Sequence, residues 1–297
     1  MSAEHQPDMK SAYWNDRFAK YHHTGWNLPG IYGYDQKIRI RAILSALDAL
    51  SVRCDSGCRV LDVGCGTGDL TEALAIRGAT VVGYDISSGV IARARARFRG
   101  FPNVILECAD IVDADLEHGP FDLIVSVTVL QHQVDDRSLN EAVGKLARVL
   151  RPGGTILILE TVLPEAASGR GAAHYIRPRT RSEWLACFQD AGLQLAYERS
   201  YPQNALTTLA WVRRAVRRGT VGNVPPPSGA TESASPAAGA TADARPPLRG
   251  TVPSRLKLLA VKGFLAAFVP IDHWLQVPTP KALGAGRIMA FRATERR

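Results

Sequence analysis

The densest chemical signal in the chain is Val60-Leu61-Asp62-Val63-Gly64-Cys65-Gly66-Thr67-Gly68. An apolar, strand-like run leads into three glycines within five positions, and helical periodicity follows. Glycine accepts positive φ and lets a ligand approach the backbone without a Cβ clash. The simpler alternative is a tight strand-to-helix turn with no ligand. Three glycines so close behind a buried strand argue against it and for a nucleotide-like ligand. The dinucleotide fingerprint needs G-x-G-x-x-G/A. Counted from Gly64 the sixth position is Asp69, and from Gly66 it is Thr71, so both frames fail. No Gly-Lys-Ser/Thr follows, which excludes a P-loop.

Further groups recur at matching intervals. Val81-Val82-Gly83-Tyr84-Asp85 ends a second apolar run, with Asp85 lying 23 residues after Asp62. Asp110 follows a third run and His132 a fourth, in Thr128-Val129-Leu130-Gln131-His132-Gln133. Arg148-Val149-Leu150-Arg151-Pro152-Gly153-Gly154 reads as a helix stop and a turn before a fifth.

In this order the motifs resemble those of the class I S-adenosylmethionine-dependent methyltransferases. The resemblance runs from Val60 to about Glu160, and more loosely from Tyr13 to the C-terminus. It implies S-adenosylmethionine as cofactor, held around Asp62, Gly64, Cys65, Gly66, Gly68, Asp85, Ile86 and Asp110. Asp85 would accept from two ribose hydroxyls, Ile86 would pack on the adenine, and Asp110 would accept from the adenine amino group. Asp62 has either an indirect role near the methionine amino group or a purely structural one. The fourth strand end would lie beside the reactive sulfonium, which makes His132 the candidate general base. Its reference pKa near 6.5 suits that role, and such a base contributes about 10²–10⁴-fold. The competing role for His132 is to hydrogen-bond backbone or merely to shape the pocket. Some quinone-pathway O-methyltransferases carry Glu-His at this place and use a metal; here the pair is Gln131-His132, and no metal is expected. Neither the Asn/Asp-Pro-Pro-Tyr motif of amino-methyltransferases nor a Pro-Cys nucleophile is present.

These groups need a scaffold. Strand-length apolar runs fall at 59–63, 80–84, 104–107, 121–127, 155–160 and 193–198, with a final one at 287–292. Helical spacing appears at Leu70, Ala73 and Leu74, at Val90, Ile91, Ala94 and Phe98, and at Leu139, Val143, Leu146 and Leu150. Thr180 and Glu183 make a capping-box signature before Trp184. The alternation predicts an α/β, Rossmann-like doubly wound sheet with helices on both faces. The resemblance adds seven strands, the last antiparallel. Arg93, Arg95, Arg97 and Arg99 read as a solvated helix face.

Residues 1–50 are expected to form a helical cap or lid and 51–200 the cofactor-binding core. Residues 201–285 would be a basic insertion with a flexible linker at 219–254, and 286–297 the last strand and tail. Trp14, Trp26 and Tyr34 are candidate substrate contacts in an aromatic N-terminal wall; aromatic packing onto the sheet is the alternative. Gly219–Ser254 has seven of the 18 prolines and no aromatic residue.

Charge is unevenly spread. Residues 1–200 carry 22 Lys/Arg against 24 Asp/Glu, and the remainder 14 against four, within an overall formal charge of +8. The basic third holds two helix candidates, Ala205–Arg218 and Arg255–Val269. Read functionally they form a cap that touches an anionic membrane surface or an acidic, lipid-linked substrate. Read structurally they are an amphipathic pair with a solvated basic face; nucleic-acid binding, a third reading, is disfavoured because no RNA-binding module or stacking motif accompanies the charge. The longest apolar run, Gly263–Ile271, is short of the ~20 residues a spanning helix needs. No signal-peptide pattern opens the chain, and five scattered cysteines suit a reducing cytoplasm. Cys54 and Cys58 could be half a metal site but lack a second pair. The expected activity is methylation of a small molecule or sugar/glycan hydroxyl, in the cytoplasm or at its membrane surface. An RNA methyltransferase and a non-catalytic S-adenosylmethionine-binding module are the alternatives.

Overall fold

The computed structural model describes residues 9–24, 29–167, 175–201 and 285–293. Two helices, α1 (Met9–Tyr21) and α2 (Pro29–Ala49), precede the sheet. Strands and helices then alternate: β1 (Arg59–Val63), α3 (Asp69–Ala75), β2 (Thr80–Asp85), α4 (Ser88–Arg97), β3 (Val104–Cys108) and β4 (Phe121–Val127). After β4 come a 3-10 turn (Leu130–His132), α5 (Asp136–Val149), β5 (Leu150–Leu163) and a two-residue β6 (Arg179–Thr180). The described chain ends in α6 (Arg181–Asp190), β7 (Leu193–Ser200) and β8 (Ala285–Ala293).

The strands form one sheet in the order β3-β2-β1-β4-β5-β8-β7, with β6 paired to β5. Strands β1 to β6 pair in parallel; β8 runs antiparallel to both β5 and β7. The Rossmann-like expectation holds, with one small strand added.

Successive strand residues serve opposite faces, as a period of two requires. Leu61, Val82, Ile124, Ile158 and Met289 pack with Leu139, Val143 and Leu146 of α5 and with Trp184 and Phe188 of α6. Their neighbours Val60, Val81, Leu123, Leu157 and Ala290 pack with Ile43 and Leu47 of α2 and Leu70 and Leu74 of α3. The Thr180–Glu183 capping box is present at the start of α6. Strand β5 is longer than its apolar run and takes in Pro152–Gly154, with a register irregularity against β4 between Phe121 and Leu123. Pairing with neighbouring strands thus overrides the local turn signal.

Trp26, the 219–254 linker, both helix candidates of the basic third and residues 294–297 lie outside the described residues. Tyr34 lies on α2. Among the described residues no helix is long and apolar enough to cross a membrane.

Candidate functional site

The glycine loop joins β1 to α3 at the carboxyl edge of the sheet. Gly64 has φ +67°, and a Cβ there would stand 2.2 Å from Val129 Cγ2. Gly68 has φ +86°, and its Cβ would stand 2.3 Å from Phe98 Cε2. Both positions therefore require glycine for conformation and for space. Gly66, at φ +57°, is different: the nearest atom to its Cβ position is Thr24 Oγ1 at 3.8 Å. The loop is tied to β2 by Cys65 N–H donating to the Tyr84 carbonyl at 2.9 Å and by Gly66 N–H donating to Asp85 Oδ2 at 3.0 Å. The Cys65 side chain faces inward among Ile91, Ala94, Phe98 and Leu106, where burial pushes its thiol pKa well up. Cys65 can contribute to a ligand site only through its backbone.

The three aspartates are each fixed by local donors. Asp85, almost fully buried, also accepts from Ser87 N–H at 2.9 Å. Burial raises its pKa, and the two backbone N–H groups hold the rise back. Asp62 accepts from the Thr71 hydroxyl of α3 at 2.7 Å. Burial, with a contribution from the Asp85 charge, pushes its pKa up to about 6. Asp110 accepts from Val112 N–H at 3.1 Å and stands 3.4 Å from Lys10 Nζ. The Ile86 carbonyl accepts from Ser11 Oγ.

Helix α1 lies across this edge. Asn15 Oδ1 accepts from Ser87 Oγ at 2.8 Å and from Gly89 N–H at 3.2 Å, at the start of α4. Lys10 reaches Asp110 beyond β3 and Gln133 beyond β4. Trp14 meets the His132 ring edge-on, with centroids 4.9 Å apart, and Tyr13 stacks on Tyr175 at 4.4 Å. From α2, the Tyr32 hydroxyl meets Thr67 and Asp69, and Arg39 donates to Thr128 Oγ1 at 2.9 Å while pairing with Asp35.

His132 ends the 3-10 turn after β4. Its Nδ1 lies 2.7 Å from the Tyr175 carbonyl oxygen. A carbonyl only accepts, so Nδ1 carries the proton. Burial lowers the ring's pKa below the ordinary histidine value, against smaller opposing pulls from the Tyr175 and Thr128 carbonyls. The ring is then neutral near pH 7, with Nε2 as its unprotonated nitrogen. Just upstream, Thr128 has φ +56°, a strained value for a β-branched residue.

Two residues that shape this site gave no motif. Glu160 of β5 is fully buried, and its Oε1 accepts from Val129 N–H at 3.0 Å and Leu130 N–H at 2.9 Å, holding the turn that presents His132. Burial pushes its pKa up to about 8. Its only sequence signal is an acid at the end of an apolar strand. Arg97 is exposed, as a solvated face predicts, yet it donates to the Thr67 carbonyl at 3.0 Å and to Asp69 and Glu72, clamping the glycine loop. Among the described residues no group of three or more His, Cys, Asp or Glu side chains is placed to hold a metal ion.

Residues 60–154 match a family model described as a methyltransferase domain. An uncharacterized methyltransferase of Mycobacterium tuberculosis is 33% identical over 169 residues, covering 57% of this chain and 77% of that protein. A ubiquinone biosynthesis O-methyltransferase of Bradyrhizobium is 32% identical over 184 residues, covering 57% and 71%. Among solved structures, a putative sarcosine dimethylglycine methyltransferase of Galdieria sulphuraria aligns over 95% of this chain and 98% of its own, with TM-score 0.57 and 15% identity. The magnesium protoporphyrin IX methyltransferase of Synechocystis, solved with bound S-adenosylmethionine, covers 68% and 93%, with TM-score 0.51 and 19% identity.

Proposed function

Because the chain belongs to the class I S-adenosylmethionine-dependent methyltransferases, we propose that it methylates a hydroxyl oxygen of a ring-bearing small molecule, a sugar or glycan included, with His132 taking the proton. S-adenosylmethionine is the cofactor, and when bound it supplies an electrophilic methyl carbon on a sulfonium. The loop fits a nucleoside: a Cβ at Gly66 would meet Thr24 Oγ1 only at contact distance, 3.8 Å, and acceptor carboxylates stand at the ends of adjacent strands β2 and β3. In this reading Asp85 receives the ribose hydroxyls, Asp110 the adenine amino group, and Ile86 packs on the base. Asp62 acts from beneath, joining β1 to α3 through Thr71.

The observation that carries the acceptor reading is the state of His132, neutral through burial with Nδ1–H committed to the Tyr175 carbonyl. A neutral imidazole with an unprotonated Nε2 is the form that accepts a hydroxyl proton. Relatives named as O-methyltransferases support oxygen as the accepting atom. Tyr13, Trp14 and Tyr175 form an aromatic wall next to that ring, which suits the flat face of a sugar or phenol. The remaining work of the protein is alignment of the reactants and exclusion of water. Helix α1 serves both ends by covering the strand termini. The five free thiols support a cytoplasmic setting, and the basic third supports contact with an anionic surface.

The test is mass spectrometry of a cell extract incubated with the protein, with and without S-adenosylmethionine, before and after nuclease treatment. One methyl increment on a hydroxylated small molecule or glycan is expected. A product lost on nuclease treatment, or no product at all, overturns the reading.

A further inference from the structure

Cys54 and Cys58 sit far from the glycine loop, on the connection from α2 into the start of β1. The segment Cys54-Asp55-Ser56-Gly57-Cys58 folds back on itself, with Cys58 N–H donating to the Asp55 carbonyl at 2.9 Å and Gly57 N–H meeting Asp55 Oδ1 at 3.3 Å. The turn sets the two side chains in one buried cluster, and each thiol shifts the other's pKa. Both side chains are buried, at 6% and 5% exposure, and both belong to the α2–α3 face of the core. Among the described residues no further ligand joins them to make a metal site.

Cys54 is nonetheless reachable. It lines a surface cavity of about 420 Å³ together with Asp48, Val52, Arg53 and Arg77. The neighbouring Cys58 thiol, with help from the Arg77 charge, lowers the Cys54 pKa despite burial. Cys58 is shifted the opposite way by Cys54 and by desolvation. The pair is thus asymmetric: Cys54 lines the cavity and is shifted toward thiolate, whereas Cys58 does not line it and is shifted toward the thiol. Thiolate character with access is what selects a cysteine for oxidation.

We propose that Cys54 and Cys58 form a reversible oxidation site, in which hydrogen peroxide entering the Arg77-lined cavity converts the dithiol to a disulfide. The Cys54 thiolate attacks one peroxide oxygen, breaking the O–O bond to leave Cys54 sulfenic acid and a hydroxide that takes up a proton as water. The Cys58 sulfur then attacks the sulfenic sulfur, forming the S–S bond and releasing a second water. Two thiols are oxidised and one peroxide is reduced. In a reducing compartment such a bond is transient, as expected of a sensing pair rather than a structural one.

The sequence supplies a clean readout. Trypsin cuts after Arg53 and Arg59, so both cysteines fall in the single peptide 54–59. The full chain is exposed to hydrogen peroxide, its free thiols are alkylated, and it is digested without reductant. The 54–59 peptide should appear two hydrogens lighter and unalkylated, and dithiothreitol added before alkylation should restore both thiols. In Cys58→Ser, a dimedone adduct should accumulate on Cys54; in Cys54→Ser, none should form on Cys58. Recovery of the wild-type peptide with both thiols alkylated, while exposed Cys108 oxidises, overturns the proposal. Equal dimedone labelling of Cys58 in Cys54→Ser overturns the assignment of Cys54 as the attacking sulfur.

Discussion

His132 Nδ1 and the Tyr175 carbonyl oxygen are 2.7 Å apart, and this contact joins the end of β4 to the segment that leads into β6. It sets the tautomer of the ring. It also makes the backbone at Tyr175 part of the pocket, with the Tyr175 side chain stacked on Tyr13 of α1. One backbone carbonyl thus fixes both the proton on Nδ1 and a wall of the proposed acceptor site.

If His132 is the base, His132→Ala lowers kcat on the true acceptor about 10²-fold or more and leaves cofactor affinity nearly intact. The pH profile gives a second check. Burial shifts the folded pKa down, so the neutral ring persists to lower pH than for a free histidine. The acid limb of kcat/KM should therefore fall below the reference value of about 6.5. A wild-type rate in the folded variant returns His132 to a structural role.

Asp85 joins the glycine loop to the proposed ribose site, since Gly66 N–H and Ser87 N–H each take one carboxylate oxygen. Asp85→Ala is expected to weaken S-adenosylmethionine binding by roughly 1.5–3 kcal/mol, the range for a hydrogen bond to a charged group. Titration calorimetry reads this directly, with circular dichroism to confirm folding. Unchanged affinity in a folded variant removes Asp85 from the cofactor site.

The strands and the glycine loop were legible because burial on both faces and left-handed backbone leave direct marks on residue type. The final strand was legible for the same reason, and Arg287–Arg292 lies within β8, antiparallel to β7. A helical cap over residues 1–50 was expected, but the way α1 docks was not legible. Its side chains are not fully buried, and it is held by Asn15, Lys10 and Ser11 through polar contacts that no periodicity reports. Glu160 was hidden by its strand, where an acid after Ile156-Leu157-Ile158-Leu159 marks only the end of an apolar run. Arg97 was legible as exposed but not as a clamp, because the loop it grips is 30 residues away in sequence.

Glu160 makes stability depend on pH. Its folded pKa is pushed up to about 8 by burial, whereas an unfolded glutamate titrates near 4.3. Between those values the folded state holds a proton that the unfolded state has released. Stability therefore falls as pH rises through that window and levels above about 8. Glu160→Gln cannot ionise and keeps an oxygen to accept from Val129 and Leu130. The variant should lose much of the decline in Tm between about pH 6 and 9, a difference of a few kcal/mol at the alkaline end. Parallel Tm curves for the two proteins show that Glu160 does not ionise across the transition.

The basic third of the chain gives the last expectation, which rests on its sequence alone. Arg213, Arg214, Arg217 and Arg218 fall within six positions, interleaved with Ala215 and Val216 and preceded by Leu206, Leu209 and Val212. Each basic side chain near an anionic surface contributes about 1 kcal/mol, and the attraction fades beyond a Debye length of roughly 8–10 Å. At low salt the wild-type chain should sediment with vesicles containing phosphatidylserine and not with neutral ones. Changing all four arginines to Gln should release it, and added salt should mimic the change. Cofactor affinity should not move, because the glycine loop and its carboxylates lie more than 100 residues upstream. A wild-type chain that ignores anionic vesicles at low salt ends the membrane proposal and leaves these arginines to a solvated face or an acidic soluble acceptor.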